Sequence, residues 1–254
     1  MGFTDTHVHF HFPEYDENRD ETIEAARQAG VELFINVGTD VESSKKSLAL
    51  AERYPDFYAS AGMHPHDAKN ADAKTIKEIE ALLAHPRMLA IGEVGLDFFR
   101  DHSPQEKQIQ VFREFIQLHH KIKKPLIIHC RDAYEKLIEM LKAEKPAAGI
   151  IHCFSADRAV MEQLVDLGFY ISFAGPLTYK KNDALREACR FCPKDRLLLE
   201  TDAPFLPPQT KRGTRNESAY LLETAQTAAD LHGLALQELG RITTANAKKV
   251  LGLS

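Results

Sequence analysis

No run in the 254-residue chain comes near the roughly 18 consecutive apolar side chains that a membrane-spanning helix needs, so no membrane partner is expected. Twelve prolines and 13 glycines without a Gly-X-Y period exclude a collagen-like chain. Cysteine is scarce: Cys130, Cys153, Cys189 and Cys192 are too few to form the disulfide framework of a chain this long. Only Cys189 and Cys192 make a Cys-x-x-C, which leaves out a zinc site of four thiolates. On a helical segment that pair reads as buried, reduced and inert. Positive charge is also in deficit, 32 Lys+Arg against 37 Asp+Glu, which argues against holding nucleic acid by bulk charge and leaves room only for a locally basic site. The first residues show no basic segment leading into an apolar stretch, because Asp5, His7 and His9 interrupt it, and a cytoplasmic location is the expectation. Gly2 fits the loose myristoylation pattern, yet it leads directly into a core strand, so the match is read as accidental. Nothing in the sequence sets the oligomeric state.

What is present is a large supply of core. With 44% apolar and 27% charged residues the chain has the balance of a folded α/β protein rather than of a disordered one. Short apolar runs alternate with amphipathic stretches, the pattern of a parallel sheet with crossover helices. The expected strands are Phe3 to His9, Glu32 to Gly38, Tyr58 to Gly62, Met88 to Val94, Leu126 to Cys130, Gly149 to Phe154, Tyr170 to Phe173 and Leu197 to Thr201. The expected helices are Asp16 to Ala29, Val41 to Arg53, Asp72 to Ala84, Pro104 to Lys121, Ala133 to Ala143, Asp157 to Leu167 and Lys181 to Phe191, followed by Glu217 to His232 and Leu236 to Leu251. Asp72 and Asp157 suit N-caps, Pro104 suits a first turn, and Gly30 and Gly168 follow their helices as C′ residues do. Eight strand-helix units predict a (β/α)8 TIM barrel in a single domain over residues 1–254; an open doubly wound sheet is the structural alternative. No repeat, low-complexity segment or linker suggests a boundary.

Polar residues separate the two architectures, because a barrel gathers its site from the C-terminal ends of its strands. His7 and His9 share one side of the first strand by its period of two. Glu93, His129, His152 and Asp202 each close an apolar run: Leu-Ala-Ile-Gly-Glu, Leu-Ile-Ile-His, Gly-Ile-Ile-His and Leu-Leu-Leu-Glu-Thr-Asp. Any one of these histidines reads equally as a core residue. Together with carboxylates, which are rarely buried unless paired or metal-bound, they read as a metal site. Six ligands exceed one tetrahedral zinc and suit two divalent ions roughly 3.5 to 4 Å apart, sharing a carboxylate and a water, which is hydrolase chemistry.

The segments Thr4–His9, Gly62–His66, Ile91–Asp97, Ile128–Ala133, His152–Ser155, Glu200–Leu206 and Arg212–Glu217 resemble the TatD family of metal-dependent deoxyribonucleases, in the right order along nearly the whole chain. The resemblance implies a TIM barrel that hydrolyses DNA phosphodiesters, in some members as a 3′ to 5′ exonuclease. By the family pattern His7, His9 and Asp202 would hold one ion, His129 and His152 the other, and Glu93 would bridge them. Two positions depart from that pattern, Phe10-His11 where Leu-Asp is common and Ser218 where Pro is common; neither is an expected ligand.

The mechanism expected is attack of a metal-bridging hydroxide on phosphorus, with Asp202 orienting the nucleophile or taking its proton and His64 hydrogen-bonding the scissile phosphate. Four imidazoles favour Zn or Mn over Mg, whereas family habit points to Mg or Mn. Arg131, Lys180, Lys181, Lys211, Arg212 and Arg215 follow strands at the site end and are the candidates for phosphate contact, against plain solvated charge; Arg131 has the further alternative of pairing with Asp132. Phe98, Phe99, Tyr179 and Phe205 are the candidates for stacking a base, against core or rim packing. The competing functions are an ester or amide hydrolase on the same site, such as a D-aminoacyl-tRNA deacylase, and a non-enzymatic barrel, which retention of all six ligands disfavours. DNA against RNA stays open.

Overall fold

The computed structural model describes residues 2–100, 102–147 and 149–253. Eight parallel strands form one sheet in sequential order: β1 (Phe3–Val8), β2 (Val31–Val37), β3 (Phe57–Ala61), β4 (Met88–Asp97), β5 (Leu126–Arg131), β6 (Gly149–Ile151), β7 (Tyr170–Phe173) and β8 (Leu197–Leu199). Between them run α1 (Arg19–Gln28), α2 (Val41–Arg53), α3 (Ala73–Leu83), α4 (Gln105–Ile122), α5 (Tyr134–Glu144), α6 (Arg158–Asp166) and α7 (Asp183–Phe191), with α8 (Leu221–His232) and α9 (Leu236–Leu251) after β8. The ring closes just beyond the strands, where Val8 bridges Ala203 in parallel and the His9 amide donates to the Ala203 carbonyl at 2.8 Å. The fold is the (β/α)8 barrel, and the open sheet is excluded.

Two apolar clusters hold it. The larger lies between sheet and helices, with Phe10, Phe34, Phe57, Phe112, Phe115, Phe154 and Phe173 fully buried. The smaller takes Ile35, Val37, Ala90, Ile127, Ile150 and Leu198 from the strands and Ala247, Val250 and Leu251 from α9. It is the inside of the barrel with the last helix as its plug. Hydrogen bonds fix that plug at the N-terminal rim: Thr244 Oγ1 donates to the Gly2 carbonyl and Asn246 Nδ2 to the Lys194 and Leu197 carbonyls. One end of the ring is thereby sealed, and only the other is free for chemistry.

The helix signals behave as their chemistry requires. Asp72 caps α3 through the Thr75 amide, Asp157 caps α6 through the Val160 amide, and Pro104 sits immediately before α4. Gly30 and Gly168 take the left-handed backbone just past α1 and α6, at φ of 102° and 92°. The differences lie at the ends of elements. β6 and β8 stop earlier than their apolar runs, and α1 and α7 begin later, at Arg19 and Asp183. The segment expected to start the eighth helix at Glu217 first makes a short 3-10 turn, Ser218–Tyr220.

The consequential difference is β4, which continues to Asp97 and stays in register with β5, Gly95 against His129 and Asp97 against Arg131. The two backbones approach so closely that a Cβ on Gly95, whose φ is 139°, would lie 2.0 Å from the His129 carbonyl oxygen. Gly95→Ala is expected to destabilise the fold by about 3 kcal/mol or more. Chemical denaturation checks this; a midpoint equal to that of the parent would contradict it.

Candidate metal centre and active-site pocket

His7 stands near the end of β1 and His9 just after it, Glu93 lies within β4, His129 within β5, His152 directly follows β6, and Asp202 lies just past β8. Three loops that leave this rim turn on non-glycine residues in the left-handed region, Asp132 (φ 52°), Cys153 (41°) and Asp202 (59°). Backbone strain of that kind persists where the surroundings over-determine it, commonly at functional sites. Here it ends β6 and β8 early and swings the ligand side chains inward.

The six residues meet around Glu93. Its Oε1 lies 3.0 Å from His129 Nδ1, 2.9 Å from His152 Nε2 and 3.3 Å from His64 Nε2, while Oε2 lies 3.4 Å from His7 Nε2 and 3.9 Å from His9 Nε2. Asp202 Oδ1 lies 3.7 Å from His7 Nε2 and 3.5 Å from His9 Nε2, and those two nitrogens face each other at 3.1 Å. Across the site His129 Nδ1 and His152 Nε2 are 3.2 Å apart. Two ligands on one ion at about 2.0 to 2.1 Å would sit about 3.0 to 3.4 Å from each other, so both imidazole pairs have the span of a shared ion.

The outer nitrogens decide what the inner ones offer. His129 Nε2 donates to Asp97 Oδ2 at 2.9 Å, His152 Nδ1 to Glu200 Oε1 at 3.1 Å, and His9 Nδ1 to the Val37 carbonyl at 2.8 Å. These partners accept, which places the ring proton on the outer nitrogen and leaves each inner nitrogen of a neutral imidazole with a lone pair. Those lone pairs aim at carboxylate oxygens in a buried pocket, an arrangement that needs a cation between them. Burial opposes charge on His9, His129 and His152, yet Asp202, Asp97, Glu200 and Glu93 outweigh it and raise all three, His152 most clearly. Burial likewise works to raise Glu93, and His152, His64 and His129 override it and hold the carboxyl well below the usual range. Asp202 is lowered in the same manner, burial being outweighed by His9, His7 and His152. The His64 ring, by contrast, is pushed down to about 4, chiefly by burial.

The groups open into a cavity of about 700 Å³. Of the proposed phosphate contacts only Arg131 reaches it, its guanidinium 3.7 Å from the Phe99 ring centroid. Lys180, Lys181, Lys211 and Arg212 do not line it; Lys211 lies over Tyr220, and Arg212 over Tyr179. Arg215 is committed elsewhere, to the Glu14 carbonyl, Asn18, Thr22 and Glu217, and so ties α1 to the segment before α8. Phe205 lines the cavity, Phe98 packs on the core, and Tyr179 donates to the Pro207 carbonyl.

Residue-by-residue reading passed over Asp97, Glu200 and His66. Asp97 accepts from both His129 and His66, and Glu200 takes His152 Nδ1 and the Cys153 amide. Each sits in a motif whose neighbour had been singled out. A carboxylate four residues beyond Glu93 and one two residues before Asp202 was the available signal.

A (β/α)8 barrel with imidazoles and carboxylates converging on one end, positioned to bind metal, defines a metal-dependent hydrolase. The chain belongs to the family of TatD related DNases, which matches residues 4–252. YabD of Bacillus subtilis, described as an uncharacterised metal-dependent hydrolase, is 39% identical over 98% of this chain and 99% of its own. The 3′-5′ ssDNA/RNA exonuclease TatD of Erwinia tasmaniensis is 36% identical over 94% of this chain and 96% of its own. The crystal structure of YjjV, a TatD homologue from Escherichia coli, aligns with a TM-score of 0.94 at 29% identity, over 99% of this chain and 98% of that one. Among the described residues no helix is long and apolar enough to cross a membrane.

Asp97→Asn keeps the shape and removes the charge behind His129. It is expected to weaken binding of Mn or Zn about 10- to 100-fold while leaving the fold intact, as read by calorimetric titration of the stripped protein. Unchanged affinity would mean that Asp97 does not support the ligand.

Proposed function

We propose that this chain is a single-domain, cytoplasmic, two-metal nuclease of the 3′ to 5′ exonuclease type, cleaving phosphodiesters of DNA. The observation that carries this reading is Glu93: its two oxygens face separate imidazole pairs, each pair already spaced for one ion. His7, His9 and Asp202 would hold the first ion, His129 and His152 the second, with Glu93 shared. The nitrogen-rich set argues for Zn or Mn over Mg as the resident ion. Bound divalent ions would offset negative charge on the attacked phosphate and make a water easier to deprotonate.

The chain's own groups do the remainder. Asp202, kept ionised by its imidazole neighbours, accepts the proton of the attacking water on the oxygen turned away from His7 and His9. His64 stays neutral at physiological pH and presents Nε2 beside Glu93, where it donates to a non-bridging phosphate oxygen. Arg131 meets the phosphate next along the strand. Names of relatives support the substrate: the Erwinia proteins carry the name 3′-5′ ssDNA/RNA exonuclease.

Stripped protein reloaded with Mn or Mg should shorten 5′-labelled single-stranded DNA into a ladder from the 3′ end. Chelation should abolish it, and Asp202→Asn should slow it about 100- to 10,000-fold. A variant as active as the parent would remove Asp202 from its role. A loaded protein that leaves DNA intact and hydrolyses D-aminoacyl-tRNA would replace the nuclease reading with the ester one.

A further inference from the structure

Among the described residues the exposed large apolar side chains are Phe99, Phe191, Phe205 and Leu206; Phe205 and Leu206 line the metal pocket, and Phe99 lies against Arg131, which lines it too. Phe205 is 46% exposed and Leu206 38%. Two adjacent exposed apolar side chains on the rim of a polar pocket mark a binding surface.

The mouth has two chemically different sides. Phe205 and Leu206 leave the end of β8, and Phe12 leaves the end of β1, so they share the seam where the ring closes. Arg131 ends β5 and Arg100 follows β4, halfway round an eight-stranded barrel from that seam. On the seam side the rings form a ladder that starts at the metal centre: His9 stacks on Phe12 with centroids 4.8 Å apart, and Phe12 meets Phe205 edge-on at 5.8 Å. On the opposite side both guanidiniums lie against Phe99, Arg131 at 3.7 Å and Arg100 at 5.6 Å, and neither forms an ion pair among the described residues. Asp67 and Asp132 are exposed carboxylates near that side, and His66 and His102, their rings 4.8 Å apart, line the pocket with Asp67.

We propose that Phe205, backed by Phe12, is a stacking platform for one unpaired base flanking the scissile phosphate, and that Arg131, seated on Phe99, holds the backbone on the far side of the pocket. This rests on the nuclease reading and names the side chains that would receive a single strand. A base can lie flat on Phe205 only after leaving a duplex stack, whereas its phosphate must reach the metal centre between the two walls. Every base has a face to stack, so the platform selects strandedness without selecting sequence. The cation–ring contacts of Arg131 keep its donors directed into the mouth, in place of a carboxylate partner that would neutralise them.

The test compares two fluorescein-labelled, phosphorothioate-linked DNA octamers, one of thymidines and one with abasic sites throughout, by anisotropy with the Mn-loaded protein. The parent is expected to bind the base-bearing strand about 5- to 100-fold more tightly than the abasic one. Phe205→Ala should lose most of that preference, and Phe205→Trp should keep it. Equal binding of the two strands by the parent, no binding of either, or an undiminished preference in Phe205→Ala would each overturn the platform. Cleavage is scored separately on phosphodiester-linked strands. Cutting without base preference would sink the platform and leave the nuclease reading standing; base-dependent binding without cutting would do the reverse.

Discussion

Nitrogen lone pairs on two buried imidazoles, His9 and His152, and on the half-buried His129 point at carboxylate oxygens rather than away from them, and this electrostatic conflict organises the molecule. The carboxylates raise His9, His129 and His152 against the effect of burial. The conflict is maintained by the groups behind the rings: Asp97, Glu200 and the Val37 carbonyl each occupy the outer nitrogen and so forbid the ring from turning its proton inward. A folded chain would not carry so unfavourable an arrangement for stability alone, since replacing buried charge with apolar packing is often neutral or better.

The barrel is suited to maintaining it. Its lower end is filled by α9, and the layers of Ile, Val and Leu above leave no freedom for the strands to slide. The upper end therefore receives six side chains from five strands at fixed positions, and the positive-φ turns at Asp132, Cys153 and Asp202 complete the inward aim. Stability is concentrated at one rim and strain at the other.

Most of this was legible from the residues. Period and spacing gave eight strand-helix units because buried parallel strands are uniformly apolar, and the polar residues closing those strands exposed the metal cluster. Seven separate motifs placed the chain in its family. What escaped reading was set by backbone geometry rather than composition. The apolar run of β4 ends at Val94, whereas Gly95 allows β4 and β5 to approach and the strand runs on to Asp97. The phosphate candidates were chosen by charge and chain order, which cannot tell that Arg215 is consumed by α1 while Arg131 is held over Phe99. Charge is visible in a sequence; what satisfies it is a matter of tertiary contact.

The seam between β8 and β1 has a further meaning. Asp5 accepts from the Thr201 amide at 2.9 Å and from the Thr201 and Ser218 hydroxyls at 2.6 Å each, and the Asp202 amide donates to the His7 carbonyl at 2.9 Å. Residues from the two ends of the chain thus build one half of the metal centre with the same contacts that shut the ring. Such contacts span almost the full length of the polypeptide and carry the largest loop-closure cost, so they form late. A chain without its last strand would lack both the closed ring and the Asp202 side of the candidate site.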